Sequence, residues 1–485
     1  MGGITFQVGE QKIRPGVYIR ITNIGEPEQA IVPQGTVAAL FKSSWGPLGT
    51  HTILESISAI AENYGANKET TDTVDTIMEA FKGGCSSVVA YRLGTGGTAA
   101  SLILKDTNTS PANAVTITAK YAGTRGNDFG VILRDSLTDA TKRELLLYEG
   151  VTLKQTITFT KGATGDGEPQ ALVNAVNASN SPYITASKIA DGNKTLAAVS
   201  TATKLAGGAN PTVASGDYTT ALSKIETIDW NVLVTDTEDT ANHAAIKAYI
   251  DRVRNEGKRV IGVVGEKTSV EFATRLSNAA SFNDPAIVYV ANGFKGSDNV
   301  IREGYKSAAR IAGMIAAADI TDSLTHSIVA NATEVVGGLT NAQVEQAIQS
   351  GALVFTMNAN KQVQIEYGIN TFVIPTADMD AGWKKIRRVR TRDNLMERIA
   401  ATWDPLIGKI NNSPDGRATL IAAAQGIINR MIAEGALLQG SIFEDPNNPP
   451  VGDSAWFVVQ VDDLDSAEKV YIVFQFRFST PAENQ

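Results

Sequence analysis

The sequence predicts an α/β core with a mixed, largely parallel sheet and flanking helices, an inserted β-rich domain, and extended terminal β arms. Three observations predict it. Over residues 231–320, short apolar runs alternate with stretches whose apolar residues recur at helical spacing, the pattern of a parallel sheet covered by helices. Residues 94–210 are rich in Thr, Ser, Asn, Gly and Ala, with short alternating runs punctuated by glycines. Both chain ends alternate with the period of a half-buried strand.

At the N-terminus, Ile4, Phe6 and Val8 fall on one side of an extended segment, and Pro15-Gly16 turns the chain into a second short strand over 17–21. Residues 1–20 are read as an arm. The first part of the core, 21–93, is expected to hold a strand at 36–41, a turn at Gly46-Pro47, a helix over 73–82 ended by Gly83-Gly84, and a strand at 87–92. The insertion, 94–210, carries alternating runs at 115–121, 129–134, 144–148 and 154–159 and a helix near 170–177. Its Gly-rich borders, 94–97 and 207–208, read as joints.

The core resumes over 211–461. A strand at 231–235 leads to a helix capped by Asp239 or Thr240, with Ile246, Tyr249, Ile250 and Val253 on its apolar face. Strands at 259–264 and 286–291 and helices at 270–279 and 305–318 continue the series. Then come a helix at 341–350, strands at 353–358 and 362–367, a basic run at 384–392, helices at 395–399 and 418–434, and a strand at 456–461. The C-terminal arm, 462–485, is an acidic loop to Glu468 and a strand over 470–478. Val470, Ile472, Phe474, Phe476 and Phe478 share one of its faces.

Length and composition set the function classes. The 485 residues suffice for two or three cores, and 43% hydrophobic with 19% charged residues is a globular balance. A net charge of −8 argues against a general nucleic-acid binder. The single cysteine, Cys85, forms no internal disulfide and reads as a small buried residue. The first residues lack the basic-then-apolar pattern of a signal peptide. The most apolar windows, 308–320 and 420–433, are short and broken by Arg310, Asp319 and Arg430. A soluble protein without membrane insertion is expected.

Chemistry is sought first at the end of the 231–235 strand, since α/β sheets hold ligands at strand carboxyl ends. Asp236, Glu238, Asp239 and His243 read there either as a metal or acid–base site or as acidic residues suited to a helix N-terminus. The second reading is preferred, because no second ligand cluster accompanies them. The 162–167 run, GATGDG, lacks the Lys-Ser/Thr ending of a phosphate-binding loop. The three histidines, His51, His243 and His326, lie on separate segments. No cofactor site is read.

The sharpest charge feature is Lys384, Lys385, Arg387, Arg388, Arg390 and Arg392. A nucleic-acid groove, a solvated face and an ion-pairing patch facing a neighbouring subunit are the three readings, and the third is preferred. Asp462, Asp463, Asp465 and Glu468 are its candidate counterpart. Exposed pairs are worth only about 0–1 kcal/mol each, so a network is required.

Several segments without catalytic use carry a family likeness. They are Pro15-Gly16-Val17-Tyr18, 38–47 (AALFKSSWGP), 83–93 (GGCSSVVAYRL), the strand–helix–strand 231–265 and 308–316 (AARIAGMIA). Then follow 334–340 (EVVGGLT) with 351–355, 386–400 (IRRVRTRDNLMERIA), and the terminal β segment. In this succession the chain resembles the contractile tail sheath family of phages and phage-derived bacteriocins, in the branch of Gram-positive hosts. The resemblance spans most of the chain outside 94–210. It implies a structural protein, not an enzyme, that forms six-fold rings stacked helically around an inner tail tube. Partners would be further copies of itself, the tube protein, and baseplate and tail terminator proteins, with no direct nucleic acid. It implies terminal arms that add strands to neighbours, contraction that drives the tube through a target envelope, and a virion tail or phage-tail-like particle assembled in the host bacterial cytoplasm. The alternative is an α/β enzyme acting on a small molecule at the Asp236–His243 strand end, and a third reading makes the insertion an exposed recognition domain.

Overall fold

The computed structural model describes residues 35–476 together with the backbone of two short strands, Ile4–Thr5 and Tyr18–Ile19. These two pair in parallel, Ile4 opposite Tyr18 and Thr5 opposite Ile19. The arm residues Phe6, Val8 and Phe478 lie outside the described residues.

Seven strands build the central sheet: β1 (Thr36–Phe41), β2 (His51–Leu54), β3 (Ser87–Arg92), β4 (Val232–Thr235), β5 (Ile261–Gly265), β6 (Ile287–Val290) and β7 (Ala352–Leu353). Their order is β7-β6-β5-β4-β1-β3-β2. All neighbours are parallel except the edge pair β3–β2. Strands buried on both faces need apolar residues at every position, which is why VLV and IVYV stand out in the sequence. Val37, Ala39 and Phe41 of β1 enter one core with the helices Asp75–Gly83 and Tyr305–Ala317. Ala38 and Leu40 enter the other, with Ser215–Ile225, Thr240–Asn255, Phe272–Phe282 and Asn341–Gln349. Asp239, not Thr240, caps the Thr240–Asn255 helix: its side chain accepts from the Ala241 amide.

The insertion is two antiparallel sheets face to face. One runs Thr152–Thr160, Lys142–Glu149, Phe129–Asp135, Val199–Lys204; the other runs Ile184–Lys188, Asn113–Ala119, Ser101–Lys105. Leu145, Leu147 and Phe129 of the first meet Val115, Ile117 and Ile184 of the second in one core. Trp45, from the loop after β1, is fully buried in that same core, edge-to-face with Phe129 at 5.1 Å between centroids. Thr95 bridges Thr212 and Thr98 bridges Ala209 where the chain enters and leaves.

Residues Leu395–Ala433 and Leu437–Asp462, which periodicity placed at the end of the core, belong to a second compact unit; residues 35–394, 434–436 and 463–476 belong to the larger one. In the smaller unit, Ile427, Ile428 and Met431 of the helix Pro414–Ala433 are buried beside the sheet Leu437–Glu444 and Phe457–Asp463. Trp403 packs on Phe457 at 5.2 Å and donates its indole N–H to the Leu420 carbonyl.

Two terminal expectations change. Asp462 and Asp463 complete the strand Phe457–Asp463 and are not loop. Residues 470–476 form no strand, because a strand exists only against a partner edge and none in the described chain pairs with them. Among the described residues, no helix is long and apolar enough to cross a membrane.

Candidate subunit-joining site at the C-terminal segment

A cleft of about 870 Å³ opens at the carboxyl ends of β1 and β4, with Asp236 among its lining residues. The Asp236 side chain has 0% exposure. Its Oδ2 accepts from Thr73 Oγ1 at 2.6 Å and faces Lys42 Nζ at 3.3 Å; its Oδ1 accepts from Tyr218 OH at 2.7 Å. Three donors from three segments occupy this carboxylate, so it ties the strand ends together. Glu238 pairs with Lys267 at 3.1 Å. His243 lines a separate cavity of about 140 Å³, its Nε2 3.0 Å from the Thr237 carbonyl, and burial holds its pKa below the ordinary value. The strand-end residues thus split between two cavities. Among the described residues no group of three or more His, Cys, Asp or Glu is placed to hold a metal ion. Burial pushes the Cys85 thiol up to about 12, so it remains protonated and a poor nucleophile at neutral pH.

The basic run begins the helix Ile386–Trp403. That is the wrong place for cations: a helix N-terminus carries partial positive charge and favours carboxylates, and this one has no acidic residue in its first turn. Residues 463–468 supply them. Arg388 grips Asp463 with two prongs, Nε to Oδ2 at 2.6 Å and Nη2 to Oδ1 at 2.8 Å, and Arg392 reaches the same carboxylate at 3.4 Å. Lys385 Nζ pairs with Asp465 at 2.5 Å and Glu468 at 2.6 Å. Glu468 also accepts from Ser323 Oγ at 2.7 Å and Thr325 Oγ1 at 2.8 Å, and Arg387 donates to Ser466 Oγ at 2.9 Å. Burial raises the Asp463 carboxyl pKa, but the bonds and charges of Arg388 and Arg392 outweigh it and leave the group below its ordinary value. Glu468 is lowered against burial in the same way, by Lys385, Ser323 and Thr325.

The partners named from charge alone are therefore brought together, but within one chain, whereas the preferred reading set them between subunits. Three residues fall outside the cluster. Lys384 donates to the Ile348 carbonyl, and Arg390 to the carbonyls of Ala318 and Asp319 beyond the Tyr305–Ala317 helix. Asp462 accepts from Gln439 at 2.7 Å. Helical spacing holds the missed signal: Arg388 and Arg392 are one turn apart and share a face, which Arg390 does not. Charge pattern gave no sign of Ser323 and Thr325, which polar loop sequence does not distinguish.

Beyond the cluster the chain emerges into solvent. Val470, Tyr471, Ile472, Val473, Phe474 and Phe476 are 67% to 89% exposed, and the Phe474 and Phe476 rings stack at 6.3 Å. A run of large apolar side chains bare on both faces is the mark of an interaction segment.

Comparison with known proteins gives two family matches: "Phage tail sheath protein beta-sandwich domain" over residues 95–210 and "Phage tail sheath protein central domain" over 212–371. The phage-like element PBSX protein XkdK of Bacillus subtilis is 27% identical over 412 residues, 84% of this chain and 83% of that protein. A sheath tail protein of Desulfitobacterium hafniense shares the fold with a TM-score of 0.70 at 23% identity, covering 93% of this chain and 100% of that one. The contracted helical sheath of the anti-feeding prophage shares it with a TM-score of 0.53 at 12% identity, over 96% and 99% of the two chains.

Proposed function

The chain belongs to the contractile phage tail sheath family and is a structural subunit of a phage tail or tail-like particle, and from that premise we propose that it polymerises around an inner tail tube as six-fold rings stacked helically, each copy lending its C-terminal segment to a neighbour. The observation that carries this reading is the bare apolar run 470–476. Added as a strand to a sheet edge, such a run makes several backbone hydrogen bonds worth about 0.5–1.5 kcal/mol each and buries aromatic area besides. Among the described residues, no third strand pairs with the two-stranded sheet of Leu437–Glu444 and Phe457–Asp463, which leaves it edges suited to receive such a run. Ile4, Phe6 and Val8 are the corresponding donors of an N-terminal arm.

A segment given to one neighbour while the chain's own sheet receives another is a heterologous contact, which generates rings and helical arrays instead of closed dimers. Contraction is then a repacking of rigid subunits in which each arm stays engaged, with no nucleotide consumed. Asp236, occupied by Thr73, Tyr218 and Lys42, serves as a strut and supports a non-enzymatic reading of the strand-end cleft. Baseplate and tail terminator proteins bound the polymer at its ends, the sandwich 95–210 projects outward, and assembly takes place in the host bacterial cytoplasm.

Electron microscopy of the purified full chain, beside a chain lacking residues 470–485, tests the proposal. Hollow tubes from the first and folded, unassembled protein from the second are expected. Normal tubes from the shortened chain would overturn the arm assignment, and a monodisperse monomer from the full chain under all conditions would count against polymerisation itself.

A further inference from the structure

The C-terminal segment is fastened to its own subunit by one backbone bond, from the Leu464 amide to the Ala436 carbonyl at 3.1 Å, and by side-chain polar contacts that begin and end abruptly. Asp463, Asp465, Ser466 and Glu468 are all engaged, by Arg388 and Arg392, Lys385, Arg387, and Lys385 with Ser323 and Thr325. From Lys469 onward every described residue is exposed. No residue of 463–476 belongs to a buried apolar core. The grip on the segment is thus almost wholly electrostatic.

What grips it is itself well tied down. Ile386 is buried in the core beside the central sheet. Thr391 donates to the Ile320 carbonyl at 3.1 Å, and Arg390 holds the carbonyls of Ala318 and Asp319. Arg254 of the Thr240–Asn255 helix takes Asp393 with two bonds of 2.8 Å. A pull on residue 469 is therefore carried by several charge-assisted bonds in parallel into the first turns of the Ile386–Trp403 helix, and from there into the sheet core.

Resting on the reading of 470–476 as a donated strand, we infer that residues 463–468 are the mechanical root of that arm. Lys385, Arg387, Arg388 and Arg392 are positioning residues that fix where it leaves the subunit and transmit tension between copies during contraction. The basic residues at the helix start, unfavourable in isolation, are offset by the carboxylates with which the C-terminal segment completes that helix end. Pairing in the neighbour belongs to 470–476; fastening belongs to 463–468. The two tasks are separable.

The test uses the full chain with Asp463→Asn and Glu468→Gln together, beside the chain lacking residues 470–485. The double variant is expected to form tubes in low salt, since its donated strand is intact. Its Leu464 amide, bonded to the Ala436 carbonyl in the parent, should exchange at least tenfold faster than the parent's before assembly. When contraction is triggered, its tubes should break into subunits while parent tubes contract whole, with at least a tenfold drop in intact contracted sheaths. The reversed pair Arg388→Glu with Asp463→Lys should recover contraction that Arg388→Glu alone loses, an outcome that a merely structural role for either side chain would not give. Parent-like exchange and whole contracted sheaths from the double variant would overturn the root while leaving the donated strand standing. Normal tubes from the shortened chain would instead overturn the donated strand.

Discussion

Arg310 Nη2 lies 2.5 Å from Glu79 Oε2, with both side chains 2% exposed, and it is joined there by Arg302, whose Nε reaches Glu79 Oε1 at 2.7 Å. One carboxylate between two guanidinium groups fastens the helix Asp75–Gly83 to the helix Tyr305–Ala317 and the strand Ile301–Arg302. Burial raises the Glu79 pKa, but Arg310 and Arg302 bring it below its ordinary value. Glu79→Ala would leave buried charge without its partner. The expected loss is about 3–5 kcal/mol of stability, read as a lower urea midpoint, since breaking a buried pair costs more than the pair contributes.

The same two helices meet through glycine. A Cβ on Gly313 would stand 2.0 Å from the Ala80 carbonyl oxygen, and one on Gly83 2.4 Å from that of Arg310. Backbone faces backbone, so no side chain can swing aside. Gly313→Ala is expected to cost about 3 kcal/mol, the upper end of ordinary overpacking. Gly426→Ala is the contrast: that helical glycine has open space around its would-be Cβ, and alanine there should stabilise by roughly 0.5–1 kcal/mol. Thermal unfolding of the two variants against the parent checks both signs.

How far sequence reading reached depends on how local the cause is. The runs that became β1, β3, β4, β5 and β6 are legible because burial on both faces demands uninterrupted apolar residues. The helix Ser215–Ile225 is not, since SGDYTTALSKI has weak helix formers and is fixed by packing Tyr218, Leu222 and Ile225 against the sheet. At the candidate site, opposite charge named Arg388 and Asp463 as partners, 75 residues apart in sequence. Charge does not carry the information that the chain folds back on itself, because the same attraction operates within a subunit and between two. The strand expected at 470–478 shows the converse: its alternation is a property of the sequence, whereas its ladder needs pairing with an edge, and among the described residues 470–476 pair with none.

Trp45 makes the insertion a fixed part of the larger unit. Its ring is fully buried between the sheets, 5.2 Å from Tyr121 and 5.1 Å from Phe129, with the Arg125 guanidinium 5.7 Å above it. Arg92, from β3, donates to the Ser43, Gly46 and Ala122 carbonyls and so binds core loop and insertion together. Trp45→Ala should cost about 3–5 kcal/mol and loosen the sandwich locally. Limited proteolysis is expected to show new cleavage near 94–97 and 207–208 while the seven-stranded sheet stays protected. Uniform loss of protection throughout would instead mean that sandwich and core unfold as one.

The grip on residues 463–468 has a pH dependence whose sign follows from its carboxylates. Asp463 and Glu468 both titrate below their ordinary values in the folded chain, held there by Arg388, Arg392 and Lys385. A group with a depressed folded pKa contributes stability that is fully present above its unfolded pKa, about 4, and lost as pH falls through the lower folded value. The segment should therefore be fastened at neutral pH and come free in acid. Pepsin, which works in acid, supplies the measurement. At pH near 4 it is expected to trim the exposed run and stop short of Leu464, and one to two pH units lower to cut at Leu464 as well. In the variant carrying Asp463→Asn and Glu468→Gln, that second cut should already appear at the higher pH. A Leu464 cut that keeps the parent's pH dependence in this variant would place the acid sensitivity elsewhere in the fold, with Glu79 the first carboxylate to examine.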